Sequence, residues 1–196
     1  MDDESVNDLA TTGAQVMPLD YTNGDSITTA AITLESAVEH LDVVVNCGGV
    51  NTKPRQWDGG ETANVVLDKF KIMALGPFLA TMSLLPLLKK SELGKVLIVS
   101  SDLASITSSY GGRLSYRMAK VALNQQTASL VADFRAQGIN VALAAVHPGR
   151  VPTRMSGGNE SVDLAESTEG MVKIVEDLTV ENSGRFLYYT GEQLPW

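Results

Sequence analysis

Residues 115–149 read SYRMAKVALNQQTASLVADFRAQGINVALAAVHPG, and this stretch carries the main feature of the fold. Its first part is striped with apolar residues at helical spacing and stops at Gly138, the kind of residue that ends a helix in a left-handed turn. Its second part, 139–146, is an apolar run of strand length, broken by His147-Pro148-Gly149. A strand without polar alternation, fed by a helix, reads as buried on both faces, as in a parallel sheet covered by helices.

The same alternation extends in both directions. DVVVN (42–46) follows the helical SITTAAITLESAVEHL (26–41), and GKVLIVSS (94–101) follows a helical segment from about 62 to 88. ESTEGMVKIVEDL (166–178) precedes GRFLYY (184–189), and AQVMPL (14–19) reads as an early strand. These segments predict strands near 14–19, 42–46, 95–100, 140–146 and 185–188 in one mostly parallel sheet, the last four adjacent in chain order. The fold class is therefore α/β, a doubly wound parallel sheet. No internal repeat or low-complexity tract interrupts it, so residues 1–196 read as a single domain.

Composition narrows the function classes. The chain has 196 residues and a formal net charge of −8, with no Lys/Arg patch, which disfavours nucleic acid and anionic membrane as partners. Its one cysteine, Cys47, rules out an internal disulfide and fits a reducing compartment. The acidic start MDDESVNDLATTG resembles no targeting segment, and PFLATMSLLPLL is too short and proline-broken to cross a bilayer. A soluble, cytoplasmic protein is the expectation. His40 and His147 form no metal pair at a recognised spacing, so no metal is expected.

In open α/β sheets, ligands bind beyond the carboxyl ends of the strands. CGGV follows DVVVN, SDLAS follows VLIVS, and HPGRVPTRM follows VALAAV. Taken singly, each is an ordinary turn or cap. Together they place a hydroxyl, Ser101, at a strand end, with Tyr116 and Lys120 one helical turn apart farther along. That set suits carbonyl reduction, which needs a proton donor for the developing alkoxide. A phenol is a reluctant donor, and a neighbouring cation should lower its pKa toward working pH. A serine hydroxyl can orient the substrate oxygen.

With DVVVNCGG, VLIVSS, YRMAKVALN, HPGRVPTRM and SGRFLYYTGEQLPW in this order, the chain resembles the short-chain dehydrogenases/reductases, most closely their C-factor-like or sniffer-like carbonyl reductase branch. The resemblance implies a Rossmann-like sheet, a small-molecule carbonyl or alcohol substrate, NADP or NAD as cofactor, and a possible homodimer. It implies Ser101, Tyr116 and Lys120 as the catalytic residues. Cofactor contacts are implied for Asp20, Asn46, Gly48, Gly49, Tyr116, Lys120, Pro148, Gly149, Val151 and Thr153, and a substrate-covering loop for 151–163.

Two departures stand out. The family's glycine-rich phosphate turn has no counterpart before Asp20, so the expectation is an N-terminally truncated sheet with the first βαβ missing. The segment 42–46 should then expose a hydrophobic edge, and 14–19 should either pair with it directly or be poorly attached. Met73 stands where the family usually has an asparagine that helps relay protons. Two readings follow: a nicotinamide-dependent carbonyl reductase, or a cofactor-free descendant serving as a binding or dimerisation module or a non-redox enzyme.

Overall fold

Helices ending in side-chain caps and strands joined in one parallel ladder organise the computed structural model, which describes residues 8–50, 62–153, 155–156 and 161–196. Helix α1 (Gly24–Ala37) leads to strand β1 (Val43–Asn46). Helix α2 (Ala63–Phe70) runs through one π-helical turn (Lys71–Leu75) into helix α3 (Gly76–Leu88), then strand β2 (Gly94–Val99). A 3-10 turn (Asp102–Ala104), helix α4 (Leu114–Ala136), strand β3 (Val141–His147), helix α5 (Leu164–Asp177) and strand β4 (Arg185–Tyr188) follow.

The four strands lie in the order β1-β2-β3-β4, all parallel, with Val96 opposite Leu143 and Ala145 opposite Phe186. Alternate residues of the central strands face opposite layers. Val96, Ile98 and Leu143 pack against Leu88 of α3 and Leu123 and Phe134 of α4. Leu97, Ala144 and Val146 pack against Ile174 of α5. Helices on both faces explain why these strands carry no polar alternation.

Local chemistry sets the helix ends. Asn23 accepts from the Asp25 and Ser26 amides at the start of α1, and Asp163 does the same for Ala165 and Glu166 at α5. Helix α4 ends at Gly138, whose φ of 64° lets Ile139 N–H donate to the Phe134 carbonyl at 2.9 Å. At the far side of the sheet, α5 lies so close to the β4 end that a Cβ on Gly170 would stand 2.3 Å from the Tyr189 carbonyl oxygen. Gly170→Ala should therefore force helix and strand apart and cost about 2 kcal/mol or more despite alanine's better helix propensity. A denaturant titration checks this; an unchanged midpoint would show that the layers give way freely.

One expected strand does not form. Residues 14–19 make no ladder bond to β1 and remain irregular, with Val16 and Leu19 largely exposed. A strand requires a partner edge, and β1 is left unpaired on that side, with Val43 and Val45 exposed at 40% and 50%. Between the irregular segment, α1, β1 and α3 lies an apolar groove of about 520 Å³ lined by Leu19, Ala31, Leu34, Val45 and Leu84. The continuous helical run 63–88 is long and apolar enough to span a bilayer, by length and composition only. Part of it is buried, with Met73, Leu87 and Leu88 fully enclosed and Leu88 packed against the sheet.

Candidate active site

The carboxyl ends of β1, β2 and β3 carry the residues singled out from sequence. Ser101 directly follows β2 and caps the 3-10 turn, accepting from the Leu103 amide at 3.2 Å. Tyr116 and Lys120 lie on the first turns of α4, both buried, at 8% and 4% exposure. Ser101 is near enough to Tyr116 to act on the titration of its hydroxyl, and Lys120 Nζ stands 5.9 Å from the Tyr116 ring centre. Lys120 also donates to the Val99 carbonyl at 2.8 Å, which ties α4 to the end of β2. The three side chains thus converge.

The helix reaches this position through a specific loop. Gly111, Gly112 and Arg113 take positive φ values of 84°, 72° and 50°, turning the chain sharply into α4. Arg117 braces that turn, donating to the carbonyls of Gly112, Gly111 and Leu103 at 3.0, 3.0 and 3.2 Å. Its guanidinium also stacks 4.5 Å from the Tyr110 ring. Nearby, buried Lys69 donates to Ser115 Oγ at 2.7 Å.

Electrostatics departs from the sequence expectation at Tyr116. Burial raises its pKa, a hydrogen bond with Ser101 and the Arg113 charge act in the lowering direction, and Asp102 adds to the rise. Lys120 is not among the groups that lower the tyrosine, because its own pKa falls to about 8 and its charge is lost before the phenol titrates. Burial instead lowers the pKa of Lys120 itself to about 8, opposed by the nearby Cys47. Tyr116 is consequently held as a protonated phenol.

The remaining expected contacts divide. Asn46 is buried with both polar side-chain atoms engaged: Nδ2 donates to Thr81 Oγ1 at 2.9 Å, and Oδ1 accepts from Tyr21 Oη at 3.1 Å. The Tyr21 ring fills the space beside Gly48, where a Cβ would stand 2.6 Å from Cε2. Gly49 leaves room for the Met155 methyl group. Gly149, at φ 78°, packs where a Cβ would meet Val162 at 2.7 Å, and the Pro148 carbonyl accepts from Ser167 Oγ. Val151 and Thr153 follow in the loop after β3, with Thr153 paired to Ser156. Residues 154 and 157–160 of the expected covering loop lie outside the described residues. Asp20 is exposed and turned onto Thr22, whose amide and hydroxyl hold its pKa below the usual carboxylate range.

Sequence reasoning overlooked Tyr21, Asp102, Arg117 and the His147 side chain. His147 Nε2 stands 3.6 Å from Asp102 Oδ1, and its ring packs 5.4 Å from that of Tyr188. A signal existed for Asp102, an acid immediately after the strand-end serine pair. Tyr21 had none, since only the fold brings it to Gly48.

The donor set suits the nicotinamide–ribose end of a dinucleotide. An ammonium has three hydrogens, and Lys120 places one on Val99, leaving two beside Tyr116 for vicinal hydroxyls. The first amides of α1, by contrast, are already bonded to Asn23 and flanked by Asp20 and Asp25, a poor seat for an anion.

A family model described as enoyl-(acyl carrier protein) reductase matches residues 1–189. The C-signal protein of Myxococcus xanthus is 35% identical over 157 residues, covering 80% of this chain and 93% of that protein. The NADPH-bound carbonyl reductase from chicken fatty liver superposes with a TM-score of 0.89 at 28% identity, over 98% of this chain and 82% of that one. The carbonyl reductase Sniffer of D. melanogaster gives a TM-score of 0.89 at 27% identity, over 98% and 83%.

Proposed function

The chain belongs to the short-chain dehydrogenase/reductase family, and we propose that it reduces a small-molecule carbonyl with NAD(P)H, Tyr116 serving as proton donor. The observation that carries this reading is the convergence of Ser101, Tyr116 and Lys120 at the end of β2. The bound nucleotide supplies the hydride; the chain's own residues do the rest. Ser101 Oγ and Tyr116 Oη form a two-point seat for the carbonyl oxygen. Because burial keeps the proton on Tyr116, the phenol is loaded at neutral pH. An alkoxide is a far stronger base than a phenolate, so transfer from Tyr116 Oη is downhill once the oxygen gains charge. Lys120 holds the ribose hydroxyls with its remaining hydrogens, and the turn at Gly149 lets the backbone pass close to the nicotinamide side.

The similarity to carbonyl reductases supports the substrate class. A carbonyl panel incubated with NADPH or NADH should give alcohol product, followed by absorbance loss at the nicotinamide band and by mass spectrometry. Nucleotide oxidation without stoichiometric alcohol, or no oxidation with any member of the panel, would remove this reading.

A further inference from the structure

We propose that Trp196, carried on a hook formed by residues 191–196, is a positioning residue for the turn that bears Ser101; its catalytic consequence rests on the reductase reading above. Gly191, at φ 89°, reverses the chain after β4, and the segment runs back along that strand. Tyr188 N–H donates to the Glu192 carbonyl and Leu194 N–H to the Phe186 carbonyl, both at 2.8 Å. Gln193 is bridged antiparallel to Leu187. The reversal brings Trp196 against Thr107, 89 positions earlier in the chain.

Trp196 holds that stretch in two ways. Its main-chain oxygen accepts from the Thr107 amide at 3.0 Å, from Thr107 Oγ1 at 2.7 Å and from Ser105 Oγ at 3.4 Å. Its ring stacks on Phe186, with centres 5.5 Å apart and 27° between the planes. Phe186 is fully buried and packs with Ala104 and Ala145, and Leu194 of the hook lies against the same cluster. The oxygen therefore grips Ser105 and Thr107 directly, and the ring reaches Ala104 through Phe186.

Ser101 lies between two anchors. Before it, Ser100 N–H donates to the Val146 carbonyl at 2.7 Å and continues the ladder of β2 with β3. After it, the 3-10 turn is closed by Ala104 N–H to the Ser101 carbonyl at 2.9 Å and Ser105 N–H to the Asp102 carbonyl at 3.0 Å. Such turns have poorer hydrogen-bond geometry than an α-helix, so this one takes its shape from what holds its flanks. Without the hook, Ser105 and Thr107 lose a shared acceptor, and Ser101 loses its fixed place beside Tyr116. Lys120 is tied to Val99, ahead of the turn, so the nucleotide side of the site is not moved.

The test compares the full unaltered chain with W196A, W196F and T107V by two measurements. In hydrogen exchange followed by mass spectrometry, W196A and T107V speed exchange of amides 102–108 and leave those of β3 unchanged. In steady-state kinetics with NADPH and a carbonyl the protein reduces, both lower kcat/KM for the carbonyl at least about fivefold, with KM for NADPH unchanged. Misplacing a reacting contact by about 1 Å costs up to about 10²-fold. W196F keeps the stack on Phe186 and recovers most of both effects. T107V preserves the side-chain shape, so a folding failure of W196A leaves it decisive. Unchanged exchange at 102–108 overturns the proposal whatever the activity. Faster exchange with unchanged carbonyl kcat/KM overturns it too, as does a matching rise in KM for NADPH, which marks general loosening. Absence of turnover in the unaltered chain overturns the reductase reading and the catalytic part of this proposal, and exchange still decides whether the hook holds the turn.

Discussion

Tyr116→Phe lowers carbonyl-reduction kcat by about 10²- to 10⁴-fold, the range in which a positioned general acid contributes, and leaves the fold in place. The ring contacts with Met73, Leu103 and Ala119 persist in phenylalanine, since they involve carbon alone. What disappears is the hydroxyl that lies near Ser101 and would meet the substrate oxygen. Because burial raises the pKa of this phenol, its removal should barely change the charge of the folded protein near neutrality. Steady-state kinetics beside a thermal melt separates the two effects. Retention of full turnover by the phenylalanine variant would mean that the proton comes from another group.

Lys120→Met should raise stability at pH 7 while lowering activity. The ammonium is 4% exposed, and burial lowers its pKa from 10.5 to about 8. A cation whose folded pKa is depressed is a penalty, fully present below pH 8 and fading as pH rises toward 10.5, because the unfolded chain binds the proton more tightly there. Across that gap the penalty is about 3 kcal/mol. Methionine removes it but leaves the Val99 carbonyl without its 2.8 Å donor, a loss of about 1 kcal/mol. The net gain of about 2 kcal/mol corresponds to a Tm rise of roughly 4–8 °C for a chain of this length. The gain should shrink as pH climbs above 8 and turn into a small deficit before pH 10.5, where the penalty has fallen below the lost hydrogen bond. Melts at pH 7 and pH 10 test the sign. A variant less stable at pH 7 would show that the lysine is well compensated where it lies. Loss of the ribose contact should raise KM for the nucleotide in the same variant.

Much of this architecture was legible in the chain itself. The strands 43–46, 94–99, 141–147 and 185–188 fall within a residue or two of their expected places, because a continuous apolar run marks a strand buried on both faces. Gly138 ends α4 by its own conformational freedom. The Ser101, Tyr116 and Lys120 convergence was readable too: a strand-end position and a helical i, i+4 pair are local facts that a parallel sheet carries to one edge.

Other features depended on what lay across space. Residues 14–19 have strand-like composition yet do not pair with the open edge of β1, and a ladder cannot be read from one strand alone. The pKa shift of Tyr116 runs opposite in direction to the expectation drawn from Lys120, since spacing says that a cation is near and not how deeply both groups are buried. Tyr21 against Gly48, and His147 beside Asp102, join different strand ends that no periodicity links. Apolar period and turn chemistry act between neighbours in the chain, so sequence alone determined the elements and their order. Burial, hydrogen-bond direction and charge proximity act between neighbours in space, so only the packed sheet decided which side chains at its edge form a site.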